Sequence, residues 1–372
     1  MRWVFWGSVA LLAYTYVGYW ALLWVHSKIR VRRVEAEPVQ PPLSIVMVVR
    51  NEEAAVERKM QNLLALDYPA ERKQIVVVSD GSTDRTNEIL ARYTGESVKV
   101  LCSSESRGKA AGLNRAFGEC NGDVVVFTDV RQPIETGALR RLADNFADPA
   151  VGCVSGELML GDPERGESKQ GMGLYWRIEK RIRELESETG SVVGATGALY
   201  AARRALLATL PEGLILDDVL IPMSVAKQGG RVLFEPRARA WDSPNLGEGR
   251  EFRRKVRTLT GNYQLLQVAP WLLTGKNPLR FEFISHKLLR LVAPFALLAA
   301  LISSVFLTSP VYRIALLLQV VFYGLSVAGL AGMKIGPLAR WGDAASTFVV
   351  LNTAAVVAFA NVVTGRKAVW TR

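Results

Sequence analysis

Only two histidines and three cysteines occur among the 372 residues. So few histidines argue against a histidine-built metal site. Cys102, Cys120 and Cys153 are odd in number and lack the spacing of a thiolate metal site. They read as reduced thiols of a cytoplasmic segment, not as a disulfide framework. No Gly-x-Gly-x-x-Gly follows the first strand pattern, which leaves a dinucleotide-dependent dehydrogenase poorly supported. No internal repeat at a solenoid period and no low-complexity segment is present. Charge is missing locally too: residues 3–25 contain no Asp, Glu, Lys or Arg across 23 positions, enough to cross a bilayer. Residues 291–312, 314–333 and 344–365 are similar uncharged runs of 22, 20 and 22 residues. A transporter is disfavoured, because over half the chain lies in one block between these runs.

The first run is too long for a signal peptide, and no small-residue cleavage site follows, so a retained anchor is expected. Trp3, Trp6, Tyr19, Trp20 and Trp24 lie towards its ends, where aromatic rings favour the interface. Lys28, Arg30, Arg32 and Arg33 come next and place that end in the cytoplasm. The expected organisation is an anchor over 1–33, a cytoplasmic domain over 41–266, an interfacial segment over 267–287 and about three membrane helices over 288–372. Four full spans would put Arg366, Lys367 and Arg372 outside, against the positive-inside tendency. Either one carboxyl-terminal run is re-entrant or interfacial, or that terminal signal is overridden. Lys and Arg total 46 against 35 Asp and Glu, a net charge of +11 that suits an anionic partner. The basic residues cluster beside the apolar runs and near a candidate phosphate cleft, which argues against nucleic acid and for nucleotide phosphates or lipid.

Within the central block, strand patterns alternate with helix patterns, predicting an α/β fold with a mostly parallel sheet. Strands are expected over 43–49, 75–78, 98–102 and 124–128, and helices over 54–66, from about 84 to 93, and from 109 to 117. Ser82 or Thr83 is positioned to cap the second of these helices. Glu52, Asp80 and Asp129 follow three strand ends, where open α/β sheets bind ligands. For Asp80 alone the simpler alternative is a turn-stabilising carboxylate. Further on, 172–188 reads as a helix with a solvated charged face, Asp217-Asp218 opens a helix to about Lys227, a short strand spans 231–234, and a basic helix covers 251–266.

The ordered set Val49-Arg50-Asn51-Glu52, Val78-Ser79-Asp80-Gly81-Ser82-Thr83-Asp84, Arg107-Gly108-Lys109, Val126-Phe127-Thr128-Asp129, the segment 194–199 and Leu216-Asp217-Asp218 resembles glycosyltransferase family 2. The likeness runs over roughly residues 42–265 and is to the membrane-anchored branch near cellulose, hyaluronan and poly-N-acetylglucosamine synthases, with a Rossmann-like GT-A fold. It implies a nucleotide diphosphate sugar cradled at the strand ends. Asp80 would then hydrogen-bond the base and Glu52 would line the nucleoside pocket. Lys109 would face the phosphates near a helix amino terminus, or else be a solvated first-turn lysine. Asp218 would be the general base of an inverting transfer, with Asp217 orienting it; alternatively both acids only cap their helix.

Two departures from the family pattern stand out. The usual Asp-x-Asp is Asp129-Val130-Arg131 here, which removes one carboxylate from a Mg²⁺ or Mn²⁺ site and leaves Asp129 as its ligand. Arg131 either supplies positive charge to the diphosphate or turns away to pair with a surface carboxylate. The Gln-x-x-Arg-Trp of processive relatives corresponds to Arg254-Lys255-Val256-Arg257-Thr258. Arg254 and Arg257, three apart on one helix face, either clamp the leaving diphosphate or form a lipid-facing basic patch. The implied activity is transfer of a sugar, UDP-linked by the resemblance, to a growing polysaccharide or a lipid-linked acceptor at the inner membrane. A non-processive glycolipid transferase and an inert sugar-nucleotide-binding subunit are the alternatives.

Overall fold

The computed structural model describes residues 1–162, 167–168, 174–242, 248–333 and 339–365. Arg366, Lys367 and Arg372, on which the orientation conflict turned, lie outside the described residues.

The chain opens with helix α1, Arg2–Ile29, which contains a π-helical turn at Tyr14–Gly18. Strand β1, Leu43–Val49, is buried at every position. Its side chains divide by parity: Ile45, Met47 and Val49 enter one apolar core, and Val46 and Val48 enter the other. This explains why β1 reads as an unbroken apolar run instead of an alternating one. Helix α2 (Val56–Leu64) packs on the first face. Strands β2 (Lys73–Asp80) and β3 (Val98–Ser103) follow, separated by helix α3, Thr86–Ala91. Helix α4 (Lys109–Phe117) covers the opposite face, and β4 (Val124–Thr128) returns beside β1.

The strand order is β3-β2-β1-β4, all parallel, before the chain reverses. The connections leave β1 towards β2 and β3 and then cross to β4 on its other side. That makes a topological switch point at the carboxyl ends of β1 and β4, where a crevice opens. After α5 (Ala138–Asp144) come β5 (Val151–Asp162), the two-residue β6 (Glu167–Ser168) and helix α6, Leu174–Thr189. Strand β7 (Leu199–Arg203) inserts antiparallel between β4 and β5. Helix α7 (Asp217–Lys227) and strand β8 (Arg231–Asp242) complete the unit, with β8 parallel to β5. The sheet is therefore mixed but mostly parallel in its site-bearing half.

Helix α8 (Glu248–Val268) leads back towards three long apolar helices: α9, Arg280–Phe306; α10, Pro310–Leu330; and α11, Ala339–Val363. By length and composition, α1, α9, α10 and a 341–363 stretch of α11 can each cross a membrane. Two expected boundaries move. The 22-residue run over 291–312 is cut between α9 and α10, because Pro310 sits at the first helical position and disfavours helix in the residue before it. Helix α9 begins at Arg280, ahead of the expected boundary at 288, with Phe283 fully buried. Strand β8 is also longer than the expected 231–234; it continues through a register shift opposite β5 to Asp242.

Candidate functional site

The loops after β1 and β2 are fastened to each other. Thr83 N donates to Asn51 Oδ1 at 2.8 Å, Asn51 N to Ser82 Oγ at 3.2 Å, and Glu53 N to Asp84 Oδ2 at 3.1 Å. Asn51 takes a positive φ of 51°, a conformation that asparagine tolerates better than most residues. Ser82 and Thr83 are thus spent on the neighbouring loop and do not cap α3. Asp84 holds that corner instead, accepting Thr86 N at 3.0 Å.

Asp80, only 2% exposed, accepts three hydrogen bonds from one loop: Arg107 N at 2.8 Å, Gly108 N at 2.9 Å and Ser106 Oγ at 2.7 Å. Its carboxylate shapes the loop that delivers Lys109, a different loop from the turn that directly follows Asp80. Gly81 is needed beside it, since a Cβ there would meet Ser106 N at 2.6 Å, at a φ of +65°.

Lys109, at the first position of α4, lies between two acids. Its Nζ is 3.1 Å from Asp129 Oδ1 and 3.1 Å from Asp217 Oδ2. Burial opposes its charge, but Asp129, Asp217 and Asp218 outweigh that and hold its pKa above the ordinary lysine value. Asp217 is 3% exposed and also lies 3.5 Å from the Tyr200 hydroxyl. Asp129 keeps a 43% exposed side chain facing the crevice. Asp218 is half-buried and accepts no side-chain hydrogen bond among the described residues. Burial pushes its pKa up to about 6, the Asp217 charge adds to the rise, and Lys109 restrains it. Gly197 closes the floor: a Cβ there would stand 3.3 Å from Asp218 Oδ2 and 3.5 Å from Asp129 Oδ2. Asp129, Asp217, Asp218 and Lys109 therefore meet in one place, although they come from separate stretches.

Arg131 pairs with a carboxylate. That carboxylate is Glu52, with Nη2 2.7 Å and Nε 3.1 Å from Oε1. The residues expected at the diphosphate and at the nucleoside are thus each other's partners. Asp242 and Asp129 are among the charges acting on Arg131, and Arg254 pairs with Asp242 Oδ2 at 3.0 Å. Arg254 accordingly stands on the rim, while Arg257 is half-buried one turn along α8.

Sequence reasoning passed over Lys59. It is 2% exposed on α2, and its Nζ donates to Thr128 Oγ1 at 2.8 Å and to the Gln132 carbonyl at 2.6 Å, supporting the turn that carries Asp129 and Arg131. The available signal was a lysine on the apolar face of a helix, in the spacing Val56, Lys59, Met60, Leu63. For a divalent cation, no group of three or more candidate ligand side chains exists among the described residues. The candidate donor is the Asp129 carboxylate, and it suits a hard cation only in company with phosphate oxygens from a substrate, a common arrangement for Mg²⁺.

Residues 44–210 match the family model described as glycosyl transferase family 2. A poly-beta-1,6-N-acetyl-D-glucosamine synthase of Staphylococcus aureus is 24% identical over 229 residues, covering 60% of this chain and 55% of the relative. A beta-monoglucosyldiacylglycerol synthase of Synechocystis is 29% identical over 186 residues, covering 48% and 39%. The chain thus spans about half the length, or less, of these curated relatives. Among solved structures, the mannosyltransferase PcManGT from Pyrobaculum calidifontis, in complex with GDP-Man and Mn²⁺, superposes with a TM-score of 0.70 at 23% identity. That match covers 94% of this chain and 97% of the other, and carries the likeness in fold through the apolar helices. Residues 44–210 thus match a glycosyl transferase family 2 domain, in a chain whose fold is like that of a solved mannosyltransferase and which has four candidate membrane helices.

Proposed function

We propose that the protein is an inverting glycosyltransferase that moves a sugar from a UDP-sugar to a growing polysaccharide or a lipid-linked acceptor at the cytoplasmic face of the inner membrane. The observation that carries this reading is the carboxyl of Asp218. It is half-buried, free of side-chain hydrogen bonds among the described residues and set beside Asp129 and Lys109. A base must have an available lone pair and a pKa near the working pH, and Asp218 has both.

In this mechanism the acceptor hydroxyl oxygen attacks the anomeric carbon from the face opposite the nucleotide. Its proton passes to Asp218. The bond between the anomeric carbon and the phosphate oxygen breaks, and its electron pair leaves with the nucleoside diphosphate. Lys109 is placed to meet that charge by exchanging a carboxylate partner for a phosphate oxygen. Arg131 adds a second cation at the mouth of the crevice, and Arg254 and Arg257 line the α8 side. Asp80 fixes the phosphate-facing loop at the base end, and Glu52 holds Arg131 until donor arrives. Asp129, together with the diphosphate, is the residue to hold Mg²⁺ or Mn²⁺, which would supply further neutralisation of the leaving group.

The orientation rests on the basic cluster that follows α1. Single transfer to a glycolipid is the second reading, favoured by the similarity to a glucosyldiacylglycerol synthase. The experiment is a screen of radiolabelled UDP-, GDP- and dTDP-sugars with the purified protein in lipid nanodiscs. A polymer ladder supports the synthase and one lipid spot supports the glycolipid enzyme. Asp218→Asn should abolish transfer and leave nucleotide binding nearly intact; retained turnover would remove Asp218 as the base.

A further inference from the structure

Helix α6 carries Glu179, Arg183 and Glu186 at positions i, i+4 and i+7, so the three share one face. This face is not solvated, contrary to the expectation for the charges of 172–188. At the membrane side it meets His286, which lies in a π-helical turn of α9, Ile284–Leu288. The two ring nitrogens of His286 lie 2.7 Å from Glu186 Oε1 and 2.9 Å from Glu179 Oε1. Tyr19 of α1 donates to Glu186 Oε1 at 2.7 Å, and Arg290 of α9 donates to Glu179 Oε2 at 2.6 Å. Glu186 and His286 are 1% and 2% exposed, so this contact is closed to solvent.

The middle of the same face reaches the catalytic floor. The Arg183 guanidinium lies 4.8 Å from the Phe234 ring centroid, and its Nη2 donates to Ser155 Oγ at 3.2 Å. That Oγ also accepts Thr196 N at 3.1 Å. Thr196 precedes Gly197, where an added Cβ would stand 3.3 Å from Asp218 Oδ2 and 3.5 Å from Asp129 Oδ2. Helix α6, whose Glu179 and Glu186 charges act on Arg183 from the same face, thus lies between an imidazole in an apolar helix and the floor beside the two acids of the crevice.

We infer that His286 is a positioning residue for glycosyl transfer. By bracing Glu179 and Glu186 from the membrane side, it fixes where Arg183 holds the Ser155–Thr196–Gly197 floor under Asp218 and Asp129. The inference rests on the assignment of Asp218 as base. Both ring nitrogens donate in the imidazolium form, and the rigid ring then holds the two carboxylates at a set separation, which a flexible lysine would not.

The test uses the full chain in nanodiscs, with donor turnover to acceptor or water as the rate and calorimetric UDP binding as the control. The variants are His286→Ala, Arg183→Met, the double variant and His286→Gln. The expected result for each single variant is a kcat lower by about tenfold to a hundredfold, from misplaced reacting groups. Donor KM and UDP affinity should stay within about threefold, since no donor contact is removed. The double variant should be no slower than the slower single one, because both act through the same contacts. His286→Gln, which keeps one donor nitrogen, should recover part of the rate. It also carries the test if His286→Ala does not purify as a UDP-binding protein. Independent, multiplying effects in the double variant would overturn the inference, as would variants whose melting temperature falls while kcat holds. Asp218→Asn run in parallel separates the two readings: if it retains turnover the base assignment fails, yet the coupling of His286 and Arg183 is still read on that turnover.

Discussion

Lys59 donates a 2.6 Å hydrogen bond to the carbonyl oxygen of Gln132 from a position that is 2% exposed. Burial pushes its pKa down to about 7, with only partial relief from Asp129. The unfolded chain, at the ordinary 10.5, therefore binds this proton more tightly than the folded one. Stability attributable to Lys59 should rise as pH climbs from about 7 towards 10.5. Lys59→Met removes that dependence. The melting temperature of the parent protein relative to that of the variant should rise between pH 6 and pH 9 by roughly 4–8 °C, corresponding to about 2 kcal/mol. A gap independent of pH would show that the buried amine does not titrate in this range.

Under the proposed mechanism the carboxyl of Asp218 sets a second pH dependence. As a base it works only when deprotonated, so kcat/KM should rise along an acid limb centred near pH 6, the value its surroundings impose. Lys109 lowers that pKa, so Lys109→Met should move the limb upward by about one pH unit as well as weaken donor binding. Initial rates between pH 5 and pH 8.5 give both curves. A limb that stays put in Lys109→Met would disconnect the two residues.

Arg131 occupies the position of the second acid in Asp-x-Asp. Arg131→Asp should weaken donor binding about tenfold, because a charge-assisted contact to the diphosphate is lost. It should also lower the Mg²⁺ or Mn²⁺ concentration needed for half-maximal rate, by restoring a carboxylate. Loss of the half-exposed pair with Glu52 should cost less than about 1 kcal/mol of stability. Unchanged activity together with unchanged metal dependence would remove Arg131 from the diphosphate site.

What the sequence discloses depends on how local the cause is. Strands β1 and β4 run over the residues expected, 43–49 and 124–128, because burial on both faces leaves uninterrupted apolar runs that need no tertiary knowledge to read. Helix α7 begins at Asp217 as expected, since acids favour a first helical turn. Strand β8 was read short because Glu235, Pro236 and Arg237 interrupt its pattern; pairing with β5 carries it past them. Lys59 was hidden because its acceptors, Thr128 and Gln132, lie 69 and 73 residues away. Helix α6 reads as a solvated face in the sequence for the same reason. The i, i+4, i+7 spacing was visible, but His286, which is 100 residues beyond Glu186, was not visible as its partner.

The bonds joining Tyr19, Glu186 and His286 also bear on how the molecule is made. Their sequence separations are 167 and 100 residues, so the chain leaves the ribosome with Glu186 long before His286. Until then Glu186 has the Tyr19 hydroxyl but not the His286 nitrogen, and a carboxylate missing part of its pairing resists burial. The nascent domain would therefore hold α6 loose, tethered to the bilayer by its first helix only. It would settle once the second hydrophobic helix is synthesised, so that the finished crevice comes after that helix instead of before it.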